Sequence, residues 1–164
     1  MARRLLIVLG LFFLSSLSAK AQGLDLFGGY SYERLDSSPG RNLNGLEVTA
    51  QYKMRSWVGV AADFDSHFGL PSAADARTLH FMVGPQFSFP ARISPFVHVL
   101  AGVGHLSLNG ARSTSVAGAI GAGIDMHIAP FISWRMLQVD DILTHHFGAL
   151  QHDPRLSTGI VFRF

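Results

Sequence analysis

An all-β fold, eight antiparallel strands closed up-and-down into a barrel, is what this sequence predicts, and three observations carry it. Large apolar side chains recur at every second position in eight segments, the period of an extended strand. Charged and polar residues collect on the opposite parity of the same segments. The cleanest segment, residues 43–54, is longer than most soluble strands and suits the tilted crossing of a bilayer by about 9 to 11 residues. A wall between lipid and a polar interior reconciles bulky apolar groups on one face with arginines and carboxylates on the other. The predicted fold is therefore an eight-stranded antiparallel up-and-down transmembrane β-barrel.

Residues 1–21 stand apart from this pattern. Arg3 and Arg4 precede an apolar run from Leu5 to Leu17, and Ala19-Lys20-Ala21 places small residues at the two positions a signal peptidase reads. The run is shorter than the roughly 20 residues a spanning helix needs, so a cleaved signal peptide is expected, with the barrel in residues 22–164. Of the 13 Lys and Arg, Arg3, Arg4 and Lys20 leave with it, and 10 remain against 11 Asp and Glu. That balance argues against nucleic-acid binding. The absence of cysteine excludes disulfides, a lipid-attachment cysteine and a thiol nucleophile.

Each segment has its own justification. Residues 24–35 place Leu24, Leu26, Tyr30 and Tyr32 on one face and Asp25, Phe27, Ser31 and Glu33 on the other. Turn formers at residues 36–42 reverse the chain. Residues 43–54 set Leu46, Val48, Ala50 and Tyr52 against Glu47, Thr49, Gln51 and Lys53. After Arg55-Ser56 comes residues 57–64, with Val58, Val60 and Phe64 opposing Gly59, Ala61 and Asp63. A long polar loop is expected over residues 65–77. Residues 78–89 form the fourth strand, in which Pro85 predicts a bulge or a missing ladder bond. The fifth, residues 95–105, is apolar on both faces. A modest loop, residues 106–114, centres on Asn109-Gly110. The sixth, residues 115–126, directs Ile120, Ala122 and Ile124 outward and Gly121, Gly123 and Asp125 inward.

The seventh strand, residues 131–142, breaks simple parity. Keeping Arg135 inside would expose Gln138 and Asp140 to lipid, at a cost of up to a few kcal/mol for a charge near mid-bilayer. A bulge near residues 136–138 would restore Asp140 to the interior. A loop over residues 143–154 then leads to the last strand. Long loops alternating with the short turns at residues 55–56, 90–94 and 127–130 would put the loops outside the cell and the turns in the periplasm.

The chain ends on Leu156, Ile160, Phe162 and Phe164 along one face, with Arg155, Ser157, Gly159 and Arg163 on the other. This ending resembles the closing strand of bacterial outer-membrane barrels, specifically the small OmpA/OmpX-type family of Gram-negative cell envelopes without a peptidoglycan-binding domain. The resemblance implies outer-membrane lipid as surroundings, periplasmic chaperones and the barrel-assembly machinery as partners, a monomer, and Ile160, Phe162 and Phe164 as the C-terminal assembly signal.

The inward set suggests a polar network of Glu47, Lys53, Asp63, Asp125, Arg135 and Arg163, with Arg155, His80 and His98 also inward. An eight-stranded barrel is just wide enough for side chains to fill it, so this set is expected to pair as a plug rather than line a channel. Glu47 has arginines within reach, Arg135 and Arg163 among them. His67, His145, His146 and His152 are expected as exposed loop histidines with no metal site, since adjacent histidines rarely converge on one ion. His105 and Ser107 resemble the His-x-Ser pair of outer-membrane lipid A deacylases, but the residues after them depart from that pattern and no partner carboxylate is evident. The glycines of residues 118–123 lack the following helix of a nucleotide loop and make room for lumen side chains instead. The expected function is a non-enzymatic outer-membrane barrel, without cofactor, in a structural or surface-interaction role; a small pore and a lipid-modifying enzyme are the alternatives.

Overall fold

The computed structural model describes residues 23–35, 40–69, 76–108, 110–146 and 149–164. The expected signal peptide, residues 1–21, and most of the first turn, residues 36–39, lie outside them. Eight strands follow in chain order: β1 (Leu24–Leu35), β2 (Arg41–Arg55), β3 (Val58–Gly69), β4 (Ala76–Ser88), β5 (Ile93–Leu108), β6 (Ala111–Ala129), β7 (Ile132–His146) and β8 (Ala149–Arg163). β1 pairs antiparallel with β8, from Asp25↔Arg163 to Glu33↔Arg155, so the sheet closes. Closure gives every strand two partners, the condition for placing backbone polar groups in hydrocarbon.

The strands extend beyond the expected segments. In place of the loop at residues 65–77, Asp65 to Gly69 continue β3 and Ala76 and Arg77 begin β4. In place of the loop at residues 106–114, Leu106 to Leu108 continue β5 and Ala111 to Thr114 begin β6, with Leu108↔Ala111 as the last pair and Gly110 at φ +84°. That left-handed backbone is what a glycine in a two-residue hairpin supplies. Residues 143–146 and 149–154 likewise belong to β7 and β8. The connections after β5 and β7 are thus as short as those at the other end, which corrects the expected contrast of long loops and short turns at these two positions, while the connections after β1 and β3 stay the longest. The reason is physical: polar residues such as Asp65 and His67 alternate with Phe68 and read as loop, but they point into a polar lumen.

The bulge expected near residues 136–138 is present. The β7–β8 register steps between Arg135 and Gln138, and the β6–β7 register between Ile124 and Asp125. Met136 and Leu137 both face outward, while Arg135, Gln138 and Asp140 are buried. At Pro85, β4–β5 pairing stops after Val83↔Ala101 and resumes at Gln86↔His98 in the same register, so the proline removes bonds without a bulge.

The outer surface is apolar: Leu46, Val48, Val99, Val116 and Ile120 are each more than half exposed. At the short-turn end Trp57, Phe87, Phe89, Phe131, Phe162 and Phe164 face outward, Trp57 and Phe87 stacking at 6.1 Å. An exposed apolar band with an aromatic belt suits a lipid interface. Inside, Ala61, Met82, Leu100, Ala117, Ala119 and Ile142 form an apolar patch on one wall. Charged residues occupy much of the remaining interior.

Candidate functional site

The lumen is built from inward positions of all eight strands, and side-chain groups succeed one another along it. At the short-turn mouth Lys53 Nζ lies 2.5 Å and Arg163 Nε 3.9 Å from Asp25 Oδ2, with His127 against Arg163. Deeper in, Arg135 donates from Nε and Nη2 to Asp125 at 2.8 and 3.2 Å. Its guanidinium is 4.4 Å from the Phe27 ring centroid and 4.3 Å from that of Phe96. A planar, weakly hydrated cation suits such a site, since aromatic faces offset part of its lost hydration. Gly123 is required beside it, because a Cβ there would lie 2.5 Å from Phe96 Cζ.

The middle group centres on Arg155. Its guanidinium donates to Asp63 at 2.8 Å and Asp140 at 2.9 Å, contacts Asp65, and has Glu47 Oε2 at 3.6 Å from Nε. Gln138 joins this group to the previous one: Arg135 Nη1 donates to Gln138 Oε1 at 2.7 Å, and Gln138 Nε2 donates to Glu47 at 2.9 Å and Asp140 at 2.7 Å. Thr49 donates to Asp63 at 2.8 Å, Ser157 to Glu47, and His98 Nε2 is 2.7 Å from Asp140 Oδ1. Toward the other end lie Glu33, Asp65, His67 and His80, and beyond them the apolar cluster Leu35, Leu43, Ala76 and Leu106.

The six residues singled out from the sequence thus fall into three groups: Lys53 and Arg163 at the mouth, Asp125 with Arg135, and Glu47 with Asp63 around Arg155. Glu47 takes neither Arg135 nor Arg163 as its arginine. Arg155, noted only as inward-facing, is the hub. Its ladder partners are Glu33 on β1 and Asp140 on β7, so barrel closure together with the β7 bulge was the signal for it. His67 is corrected most: it is no loop histidine but a fully buried residue of β3. His152 is exposed, 3.0 Å from Asp141; the side chains of His145 and His146 lie outside the described residues.

His105 and Ser107 share the outward parity of β5, and His105 Nδ1 is 2.8 Å from Thr114 Oγ1. The ring nitrogen a triad carboxylate would orient is therefore held by a hydroxyl. The glycine-rich residues 118–123 are strand, and Gly121 leaves space for the His98–Asp140 pair.

Fold and exterior together define the architecture: a small closed eight-stranded β-barrel, apolar outside and polar within, the arrangement of a transmembrane barrel. Solved structures agree on the fold. Neisserial surface protein A matches with a TM-score of 0.67 at 15% identity over 87% of this chain and 97% of that one. Ail, the attachment invasion locus protein of Yersinia pestis, matches at 0.57 and 18% identity over 86% and 99%. OprG of Pseudomonas aeruginosa matches at 0.57 and 15% over 88% and 97%. No protein-family model and no curated protein matches the sequence.

Proposed function

We propose that the chain is a non-enzymatic, monomeric outer-membrane barrel with a structural or surface-interaction role, exported by residues 1–21. Residues 22–164 make the barrel. Ile160, Phe162 and Phe164, all on the outer face, serve as the signal read by the barrel-assembly machinery after periplasmic chaperones deliver the chain. The observation that carries this reading is the Arg155 group, which ties β8 to β3 across the interior and to its neighbour β7. A lumen occupied by bonded side chains leaves the membrane wall and the exposed rims as the working surfaces. Two proteins of similar fold are described as a surface protein and as an attachment invasion locus protein, which suits a role at the rim.

Reconstitution tests it. Purified protein in lipid bilayers is expected to show the gel shift between unboiled and boiled samples, no steady conductance, and no change in lipid composition by mass spectrometry. A reproducible ohmic conductance would favour the pore. A lipid product lost in Ser107→Ala and His105→Ala would favour the enzyme.

A further inference from the structure

The outer group of lumen side chains has the composition of a metal site. Glu33 on β1, Asp65 and His67 on β3 and His80 on β4 each bring one ligand atom within 4.8 Å of the others. His80 Nδ1 is 2.8 Å from Asp65 Oδ1; His67 Nδ1 is 2.9 Å from Glu33 Oε2 and 3.2 Å from Asp65 Oδ1. These separations approach the edges of roughly 3.3 Å that a tetrahedral ion with bonds of about 2.0 to 2.1 Å requires.

Three further observations point to a cation. The first is charge. Glu33, Glu47, Asp63, Asp65 and Asp140 are joined by contacts in the middle and outer groups, where Arg155 is the guanidinium they share directly or through His67. Buried charge in that ratio needs more positive charge than one arginine. The second is orphaned polarity: Glu33 Oε1, on a fully buried residue, has no hydrogen-bond partner. The third is orientation from behind. Ser31 Oγ is 2.9 Å from His67 Nε2, Thr78 donates to Glu33 at 2.6 Å, and Arg155 holds Asp65 Oδ2. Outer contacts of this kind fix which atom of a ligand faces the ion. Space is reserved as well: a Cβ on Gly45 would lie 2.7 Å from His67 Cδ2, and one on Gly104 2.9 Å from His80 Cδ2.

We propose that Glu33, Asp65, His67 and His80 bind one divalent transition-metal ion of the Zn²⁺ class inside the lumen. Two imidazoles with two carboxylates suit Zn²⁺, whereas Ca²⁺ and Mg²⁺ prefer shells of oxygen. Leu35 on β1, Leu43 on β2, Ala76 on β4 and Leu106 on β5 form an apolar cluster further out in the lumen, so the ion is loaded as the barrel closes and is released slowly.

The test refolds the full barrel in detergent micelles with Zn²⁺, Co²⁺, Ca²⁺ or Mg²⁺, dialyses against EDTA and measures retained metal. About one Zn²⁺ per chain and an intense visible Co²⁺ band of tetrahedral type are expected, with no retained Ca²⁺ or Mg²⁺. His67→Gln and His80→Gln should each weaken binding roughly tenfold or more, with the folded gel band retained. The triple variant His145→Gln, His146→Gln and His152→Gln should bind as the unmodified protein does. Absence of stoichiometric Zn²⁺ in the unmodified protein overturns the site and leaves imidazolium ions to balance the carboxylates. Binding that disappears in the triple variant but survives both cluster variants also overturns it. Should a cluster variant fail to fold, the metal content and Co²⁺ spectrum of the unmodified protein decide.

Discussion

Arg155 Nη1 donates to Asp63 Oδ2 at 2.8 Å, joining β8 to β3 across the interior. The two strands are separated by β1 and β2 around the wall, so the bond crosses the lumen rather than running along it. It is made between fully or almost fully buried groups, where removing one partner costs far more than the pair contributes.

Arg155→Met therefore leaves several buried carboxylates without their cation. A loss of about 3 to 5 kcal/mol is expected, read as a lower temperature for conversion of the folded gel band and a lower urea midpoint. Lys53→Met at the mouth, where the side chain is 20% exposed, should cost no more than about 1 kcal/mol. Equal losses would show that the interior is wet enough to screen both sites alike.

The two faces of the wall can be separated with alanine. A Cβ on Gly121 would lie 1.7 Å from Asp140 Oδ1 and 2.6 Å from His98 Nε2, whereas one on Gly28 meets nothing within 4 Å. Gly121→Ala should destabilise by about 1 to 3 kcal/mol through overpacking. Gly28→Ala should stay within about 0.5 kcal/mol of the unmodified protein. Urea titration of both in the same micelles is the measurement, and a reversed order would contradict the assigned facing.

Lipid contact is tested by charge on the outer wall. Val60→Arg and Ile120→Arg, at outward positions of β3 and β6, should each cost about 2 to 4 kcal/mol of folding into bilayers. Ala61→Ser, one position on and pointing inward, should cost much less. Similar losses for all three would mean a register slip, since one residue reverses every side chain.

Much of this architecture was legible because period two is a strong signal wherever the outer face is lipid. The β7 bulge could be placed from Arg135 and Asp140 alone, because lipid tolerates neither outside. Strand ends were not legible for the same reason inverted: Asp65, His67 and Asp153 look like loop residues, and only a polar interior makes them strand. The identity of the hub was hidden by distance, since Arg155 and Asp63 are 92 positions apart and their meeting depends on closure and shear across three strands. The cluster around His67 was hidden twice, by its misplaced loop and by needing three strands at once.

The last prediction concerns Glu47, whose apparent role changes once its partners are known. Had it been the counterion of a single arginine, neutralising it would strand a buried cation at a cost of about 3 to 5 kcal/mol. Arg155, however, keeps Asp63, Asp65 and Asp140 when Glu47 loses its charge. Glu47→Gln also relieves repulsion among acids that outnumber their guanidinium. Against this, the new amide must fit Ser157 and Gln138, which both donate to the carboxylate, and one misdirected bond costs roughly 1 kcal/mol. Glu47→Gln should accordingly lower stability by about 1 kcal/mol or less, far below Arg155→Met in the same assay. Planar-bilayer recordings should show no steady open state for the unmodified protein or for Glu47→Gln, because the Arg155–Asp63 bond still crosses the lumen. An open state whose ion selectivity changes on Glu47→Gln would place Glu47 in a water-filled path and overturn the plug.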